Sequence, residues 1–168
     1  ARGQWGERII EDLLLTNGLV EGVHFVRQQD LMPGLRPDIT LLLPDQRKIA
    51  IDVKFPLSEL AKFAQTVGTH DKASYKRDFM QTVRKHLKKV AGYIQPEART
   101  LDYAMLFVPN EMVFSFLNQE TQEIIEEAMG MRVLLVSPFT FLVVAGTLRE
   151  SYRNFILADS LHEAVLVL

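Results

Sequence analysis

The chain has 168 residues, 48% of them apolar and 24% charged, which is enough for one buried core and far from the composition of a disordered or fibrous chain. With 19 basic and 21 acidic side chains the formal net charge is -2, which excludes a surface that is basic all over but not a local basic patch. There is no cysteine, so disulfides and thiolate metal sites are excluded, and His24, His70, His86 and His162 lack zinc-ligand spacing.

The longest uncharged run, Val133 to Leu148, is interrupted by Ser137 and Pro138 and is too short to span a bilayer. Arg2, Glu7 and Arg8 break any apolar run that a signal peptide would need. These features predict no membrane contact from this segment and a cytoplasmic setting. Residues 1–168 read as a single domain without repeat or linker. The chain enters a helical pattern almost at once and stops on AVLVL, as expected of a fragment of a longer protein.

Trp5, Ile9 and Leu13, with Ile10 and Leu14, recur at helical spacing and predict a first helix stopped by Asn17 and Gly18. Glu7 and Glu11 border its apolar arc. A solvated rim explains both, but in QWGE an aromatic anchor and a glycine precede Glu7 and would fix it against a neighbouring sheet. Val20 to Gln29 holds a short strand around His24, Phe25 and Val26. Ile39–Leu43 and Ile49–Val53 are two strands joined by Pro44, Asp45, Gln46 and Arg47, which supply turn chemistry. Leu57–Thr66 reads as a short helix capped by Ser58 or a neighbour. From Tyr75 to Ile94 a longer helix lines Phe79, Val83, Leu87, Val90 and Ile94 on its core side. Leu101–Val108 is a buried strand, Glu111–Met129 one or two helices, and Met131–Val136 another apolar strand. Phe139–Arg149 and Tyr152 to the end look helical. The order predicts an α/β fold with a mixed central sheet flanked by helices.

The acids of the two central strands carry the chemistry. Side chains alternate across a strand, so Asp52 and Lys54 share a face with Ala50, and Asp38 shares one with Thr40 and Leu42. A register with residue 42 opposite 48 sets Asp38 across from Asp52. Two carboxylates hemmed in by Leu, Ile and Val repel one another and cannot cheaply lose their water. A divalent cation, Mg²⁺ or Mn²⁺, is the economical way to neutralise them, with Lys54 placed to touch whatever the ion holds. Taken alone, the same residues also fit a turn aspartate and an edge-strand charge pair.

The second feature is the helix over 72–89, which holds seven of the 19 basic residues: Lys72, Lys76, Arg77, Arg84, Lys85, Lys88 and Lys89. Arg77, Gln81, Arg84 and Lys88 follow one flank, with Lys85 beside them. Simple solvation explains a charged helix face. This one carries almost no acid of its own, which is the footprint of phosphate contact.

Arg36-Pro37-Asp38, a strand and a loop, and then Asp52-Val53-Lys54 resemble the PD-(D/E)XK nuclease signature. The chain as a whole resembles the characteristic domain of the RmuC family of DNA recombination proteins. The resemblance rests on GQWGE (Gly3 to Glu7), GVHF (Gly22 to Phe25), RPD, IDVKFPL (Ile51 to Leu57), the Arg84 to His86 segment, YAMLFVPNE (Tyr103 to Glu111) and VSPFT (Val136 to Thr140). It implies a restriction-endonuclease-like core and a metal-dependent endonuclease that hydrolyses phosphodiester bonds in DNA recombination, repair or genome maintenance. Asp38 and Asp52 would be metal ligands and Lys54 the catalytic lysine. Glu7 would complete the acidic cluster and the Val53 carbonyl would be a further ligand. Arg77, Gln81, Arg84, Lys85 and Lys88 would hold the DNA backbone. The implied cofactor is Mg²⁺ or Mn²⁺ with no small-molecule cofactor. The implied partner is DNA in a bacterial, nucleoid-associated setting, with a membrane-proximal or coiled-coil region preceding the domain in the full-length protein. Asp52 stands where many such nucleases have Glu, a shorter reach. The alternative is a non-catalytic DNA-structure-binding module using the same fold and the basic helix 72–89.

Overall fold

Five strands form one mixed sheet in sequence order: β1 (Phe25–Arg27), β2 (Ile39–Leu42), β3 (Lys48–Asp52), β4 (Ala104–Phe107) and β5 (Val133–Val136). The computed structural model describes residues 2–167, with side chains from residue 5 onward; Leu168 lies outside the described residues. β1, β2 and β3 pair antiparallel, whereas β4 runs parallel to β3 and β5 parallel to β4. Leu42 sits opposite Lys48 and Ile39 opposite Ile51, the register expected from the sequence. The intervening turn closes with the Leu43 N–H donating to the Arg47 carbonyl at 2.8 Å, and Gln46 takes the left-handed conformation at φ 68°.

Helices α1 (Arg2–Thr16) and α6 (Pro138–Val167) cover one face of the sheet; α2 (Leu57–Thr66), α3 (Lys72–Ala91), α4 (Glu111–Glu120) and α5 (Gln122–Gly130) cover the other. The alternation along the strands decides which face each side chain joins. Ile39, Leu41, Ile49, Ile51, Met105 and Phe107 pack with Ile10 and Leu14 of α1 and with Phe141 and Ala145 of α6. Ala50, Ala104 and Leu106 pack beneath Phe79, Val83, Leu87 and Val90 of α3. The alanines keep that face of the sheet low, which suits a helix lying across it.

α1 ends as Asn17 and Gly18 predict. Gly18 adopts φ 77°, its N–H donates to the Leu15 carbonyl, and the Leu19 N–H reaches the Leu14 carbonyl at 3.1 Å, with the side chains of Leu14 and Leu19 both buried. α2 has the expected bounds but not the expected cap. Pro56 occupies the cap position without a side-chain bond, and the Ser58 hydroxyl turns to Glu59. α4 is capped by Asn110, whose side chain accepts from the N–H groups of Met112 and Val113.

α6 is one continuous helix where the sequence suggested two, because nothing between Arg149 and Tyr152 breaks it. Tyr152 is its last anchor, with its hydroxyl donating to the Leu42 carbonyl at 2.7 Å and its ring edge-on to His24. From Arg153 to Val167 every residue is exposed. Among the described residues no helix is long and apolar enough to cross a membrane.

Candidate functional site

The extension of the β2–β3 register by one residue brings Asp38 opposite Asp52, and the two carboxyls lie within hydrogen-bonding reach of one another. Both are buried, at 4% and 1% exposure, on the side of the sheet that faces α3. Asp38 is well provided for. Its Oδ2 accepts the Val53 N–H at 2.8 Å and its Oδ1 accepts the Gln28 side-chain amide at 3.2 Å. Asp52 is not, for its Oδ2 is buried without any hydrogen-bond partner. An orphaned carboxylate oxygen at that depth costs a desolvation penalty unless a proton or a cation compensates it.

The titration of the pair follows from this asymmetry. Burial, and then the adjacent Asp38, push the Asp52 carboxyl up to about 7. Burial also works against charge on Asp38. The Asp52 carboxyl, the Val53 N–H, the Gln28 amide and the Lys54 charge together outweigh it and hold Asp38 below the usual carboxylate range. The hydrogen-bonding asymmetry makes Asp52 the more readily protonated of the two.

Glu7 does approach the pair. Gln28 donates to its Oε1 at 2.9 Å from the same amide nitrogen that serves Asp38, and burial followed by Asp38 raises its carboxyl above the ordinary value. Gly6 is what lets α1 come so close. A Cβ there would stand 2.8 Å from Val53 Cγ1 and 3.5 Å from the Val53 carbonyl oxygen. Glu11, by contrast, is committed to Arg27 at 2.8 Å. Lys54 is exposed at the mouth of the site, within electrostatic range of Glu7, Asp38 and Asp52. Beside it opens a cleft of about 150 Å³ lined by Gly6, Val53, Lys54, Pro56, Ser58 and Pro109.

Sequence reasoning named Glu7, Asp38, Asp52, Val53 and Lys54, and the fold brings all five to one place. It missed Gln28 and Tyr93, and it placed Lys89 only among the basic residues of the helix, not beside the acids. Gln28 bridges Glu7 and Asp38 from a left-handed backbone at φ 50°, a conformation that nothing in its local sequence signals. Lys89 reaches from α3 to within 3.8 Å of Asp52 Oδ2. Tyr93 donates to the Arg36 carbonyl at 3.3 Å, and burial, with Asp52 and Asp38 nearby, pushes its hydroxyl up.

Two facing carboxylates offer hard oxygen donors of the kind that suits a divalent ion which keeps waters and engages phosphate. The unpartnered Asp52 oxygen fits such an ion. Among the described residues no three acidic or histidine side chains converge into a ready-made metal cage.

The basic helix differs from expectation in one respect. Acid does balance part of it, supplied from across the groove by α4 and α5. Lys72 pairs with Glu120 at 3.1 Å and Lys76 with Glu123 at 2.7 Å, while Arg84 makes a two-pronged bond with Glu127 at 2.7 and 2.8 Å. Arg84 is therefore held within the fold. Arg77, Gln81, Lys85 and Lys88 are exposed.

A family model described as the RmuC family matches residues 1–165. The chain is 30% identical over 159 residues to "DNA recombination protein RmuC" of Escherichia coli K12, covering 90% of this chain and 34% of that protein. It is 29% identical over 160 residues to the Salmonella typhimurium protein of the same name, covering 91% of this chain and 34% of that one. A "DNA recombination protein RmuC homolog" of Vibrio cholerae is 29% identical over 160 residues, 91% of this chain and 31% of the relative. The chain thus spans about a third of the length of these curated relatives. No solved structure matches it.

Proposed function

The chain belongs to the RmuC family, and from that premise we propose that its acid pair is the metal-dependent phosphodiesterase centre of a DNA-processing protein. The observation that carries the reading is the buried, unpartnered Asp52 oxygen facing Asp38 beside Lys54. We read the sheet, an antiparallel β2–β3 hairpin continued by parallel β4 and β5, as a PD-(D/E)XK core. Its acids lie where β3 ends, at the change from antiparallel to parallel pairing.

Asp38, Asp52 and the Val53 carbonyl would hold Mg²⁺ or Mn²⁺, with Glu7 approaching through Gln28. Such an ion lowers the pKa of a bound water and offsets charge on a scissile phosphate. Lys54, at the mouth, orients the attacking water or neutralises charge developing on the phosphate. Gln28 fixes the angle between Glu7 and Asp38. Arg77, Gln81, Lys85 and Lys88 contact the DNA backbone without reading sequence, since phosphate contacts position a strand but do not specify it.

The test is cleavage of plasmid, duplex, single-stranded and branched DNA with Mg²⁺ or Mn²⁺, with Asp52→Ala run in parallel. Metal-dependent cleavage that disappears in Asp52→Ala supports the reading. An Asp52→Ala protein that cuts as fast as the parent removes the site from consideration. The exposed Arg77, Lys85 and Lys88 support a second reading, a DNA-structure-binding module without catalysis. It is distinguished by salt-dependent DNA binding that a chelator leaves intact and no cleavage under any metal.

A further inference from the structure

We propose that Lys89 is a displaceable counter-ion: it covers the acid pair in the metal-free protein and passes to a DNA phosphate when a divalent ion binds Asp38 and Asp52. The proposal rests on the functional reading of that pair and adds a residue which the PD-(D/E)XK pattern does not contain. The Lys89 ammonium stands 3.8 Å from Asp52 Oδ2, close enough to offset charge but too far to make a hydrogen bond. That oxygen keeps no partner even so. Lys89 therefore guards the position without filling it.

Three features make it removable. Its side chain is 55% exposed against 2% for Asp52, so the ammonium can leave for water along a flexible stem at little cost. Lys89 also has a second cation, Lys54, in its surroundings, and both act on His86. His86, half-buried one turn away on α3, is held below its usual value by burial and then by Lys89, with Lys54 adding to the effect; Glu59 opposes it. Finally, Lys89 belongs to the last turn of the helix whose outer face exposes Lys85 and Lys88, so a rotation of its stem carries it from the acids toward a strand lying on that face.

Charge balance drives the exchange. Without metal, the Lys89 ammonium, 3.8 Å from the unpartnered Asp52 oxygen, offsets negative charge on the pair. A dication held by the two carboxylates would supply that compensation itself and repel the Lys89 ammonium, which a phosphate would then accept. Lys89 thus couples metal occupancy to strand binding through one side chain.

The test compares the parent protein, Lys89→Met and Asp52→Asn. Mn²⁺ affinity is read by calorimetry, and binding of a labelled DNA duplex by fluorescence anisotropy with and without Mn²⁺. Lys89→Met keeps the length of the stem on an exposed position, and circular dichroism checks its fold. Removing the competing charge is expected to tighten Mn²⁺ binding about tenfold, while the Mn²⁺-dependent gain in duplex affinity shown by the parent disappears. Unchanged or weaker Mn²⁺ binding in Lys89→Met overturns the proposal, as does a gain in duplex affinity that survives the substitution. In either case the acid-pair reading still stands if the parent binds Mn²⁺ and Asp52→Asn does not. A parent that binds no Mn²⁺, or an Asp52→Asn protein that binds it equally well, removes the reading and the proposal together.

Discussion

Asp38 and Asp52 face one another across the β2–β3 hairpin, and the Val53 N–H and the Gln28 amide donate to Asp38 and leave Asp52 Oδ2 without a donor. The pair therefore carries an electrostatic penalty, since one carboxyl is well bonded and the other is buried with an oxygen that accepts no hydrogen bond.

Replacing Asp52 with Asn removes that penalty, because the amide is neutral at every pH and its N–H₂ can still donate to Asp38. In mildly alkaline, metal-free buffer, Asp52→Asn is expected to be more stable than the parent by about 1–3 kcal/mol, read from urea midpoints. Divalent-ion binding and any cleavage should vanish in the same variant. A loss of stability would mean that ionised Asp52 is already compensated in the fold.

The pH dependence follows with a definite sign. Asp52 titrates higher in the folded chain than in the unfolded one, so its contribution to stability is fully present below its unfolded value and is lost as pH rises through about 7. Asp38, held low, contributes in the opposite sense: its share is present above its unfolded value and is lost only as the solution becomes strongly acidic. Metal-free protein should therefore lose stability between mildly acidic and mildly alkaline pH. Saturating Mn²⁺ should abolish that decline, because binding holds both carboxyls ionised and releases the proton. Thermal melts across the range, with and without Mn²⁺, read this directly, and parallel curves would count against it.

Gly6 is a packing residue as much as a helical one. The Cβ of Gly6→Ala would press on Val53 Cγ1 at 2.8 Å and force α1 away from β3. We expect a cost of about 1–3 kcal/mol, the usual range for overpacking. Mn²⁺ binding should weaken too, since Glu7 follows directly and Val53 lies between the acids and the cleft. Unchanged stability would show that Val53 turns aside freely.

The two kinds of basic residue on α3 should separate cleanly. Arg84→Ala breaks the pair with Glu127, which is over a third exposed on both sides, so its cost is modest, about 0.5–1 kcal/mol, and its effect on DNA binding small. The double substitution of Lys85 and Lys88 by Ala should leave stability alone. It should weaken DNA binding and lower the slope of log affinity against log salt by roughly 0.9 for each phosphate no longer neutralised. The reverse pattern would place the strand on the Arg84 flank.

What the sequence revealed was whatever depends on neighbours along the chain. The hairpin register, the bounds of α2 and the glycine stop of α1 all come from alternation and turn chemistry over a few residues, and all are present. β4 begins at Ala104 rather than Leu101, and α3 begins at Lys72 rather than Tyr75, because burial and loop geometry set element ends. Partners brought together by tertiary packing were hidden. Glu120, Glu123 and Glu127 form a stripe that matches Lys72, Lys76 and Arg84, a pattern visible only when α3 is known to lie beside α4 and α5. Gln28 and Lys89 were obscured for the same reason, since each takes its role from acids contributed by other elements.

The turn from Pro44 to Arg47 touches neither acid, yet it dictates whether they meet. It lies ~16 Å away along the strands, at about 3.3 Å per residue. Because alternate side chains point to opposite faces, a single residue inserted or deleted there, if taken up as a one-step slip of β2 against β3, would send Asp38 to the α1 side and leave Asp52 alone beneath α3. Loop length is thus inherited by the chemistry as a parity rule: the distal end of the hairpin sets, by odd or even count, whether there is a site at all.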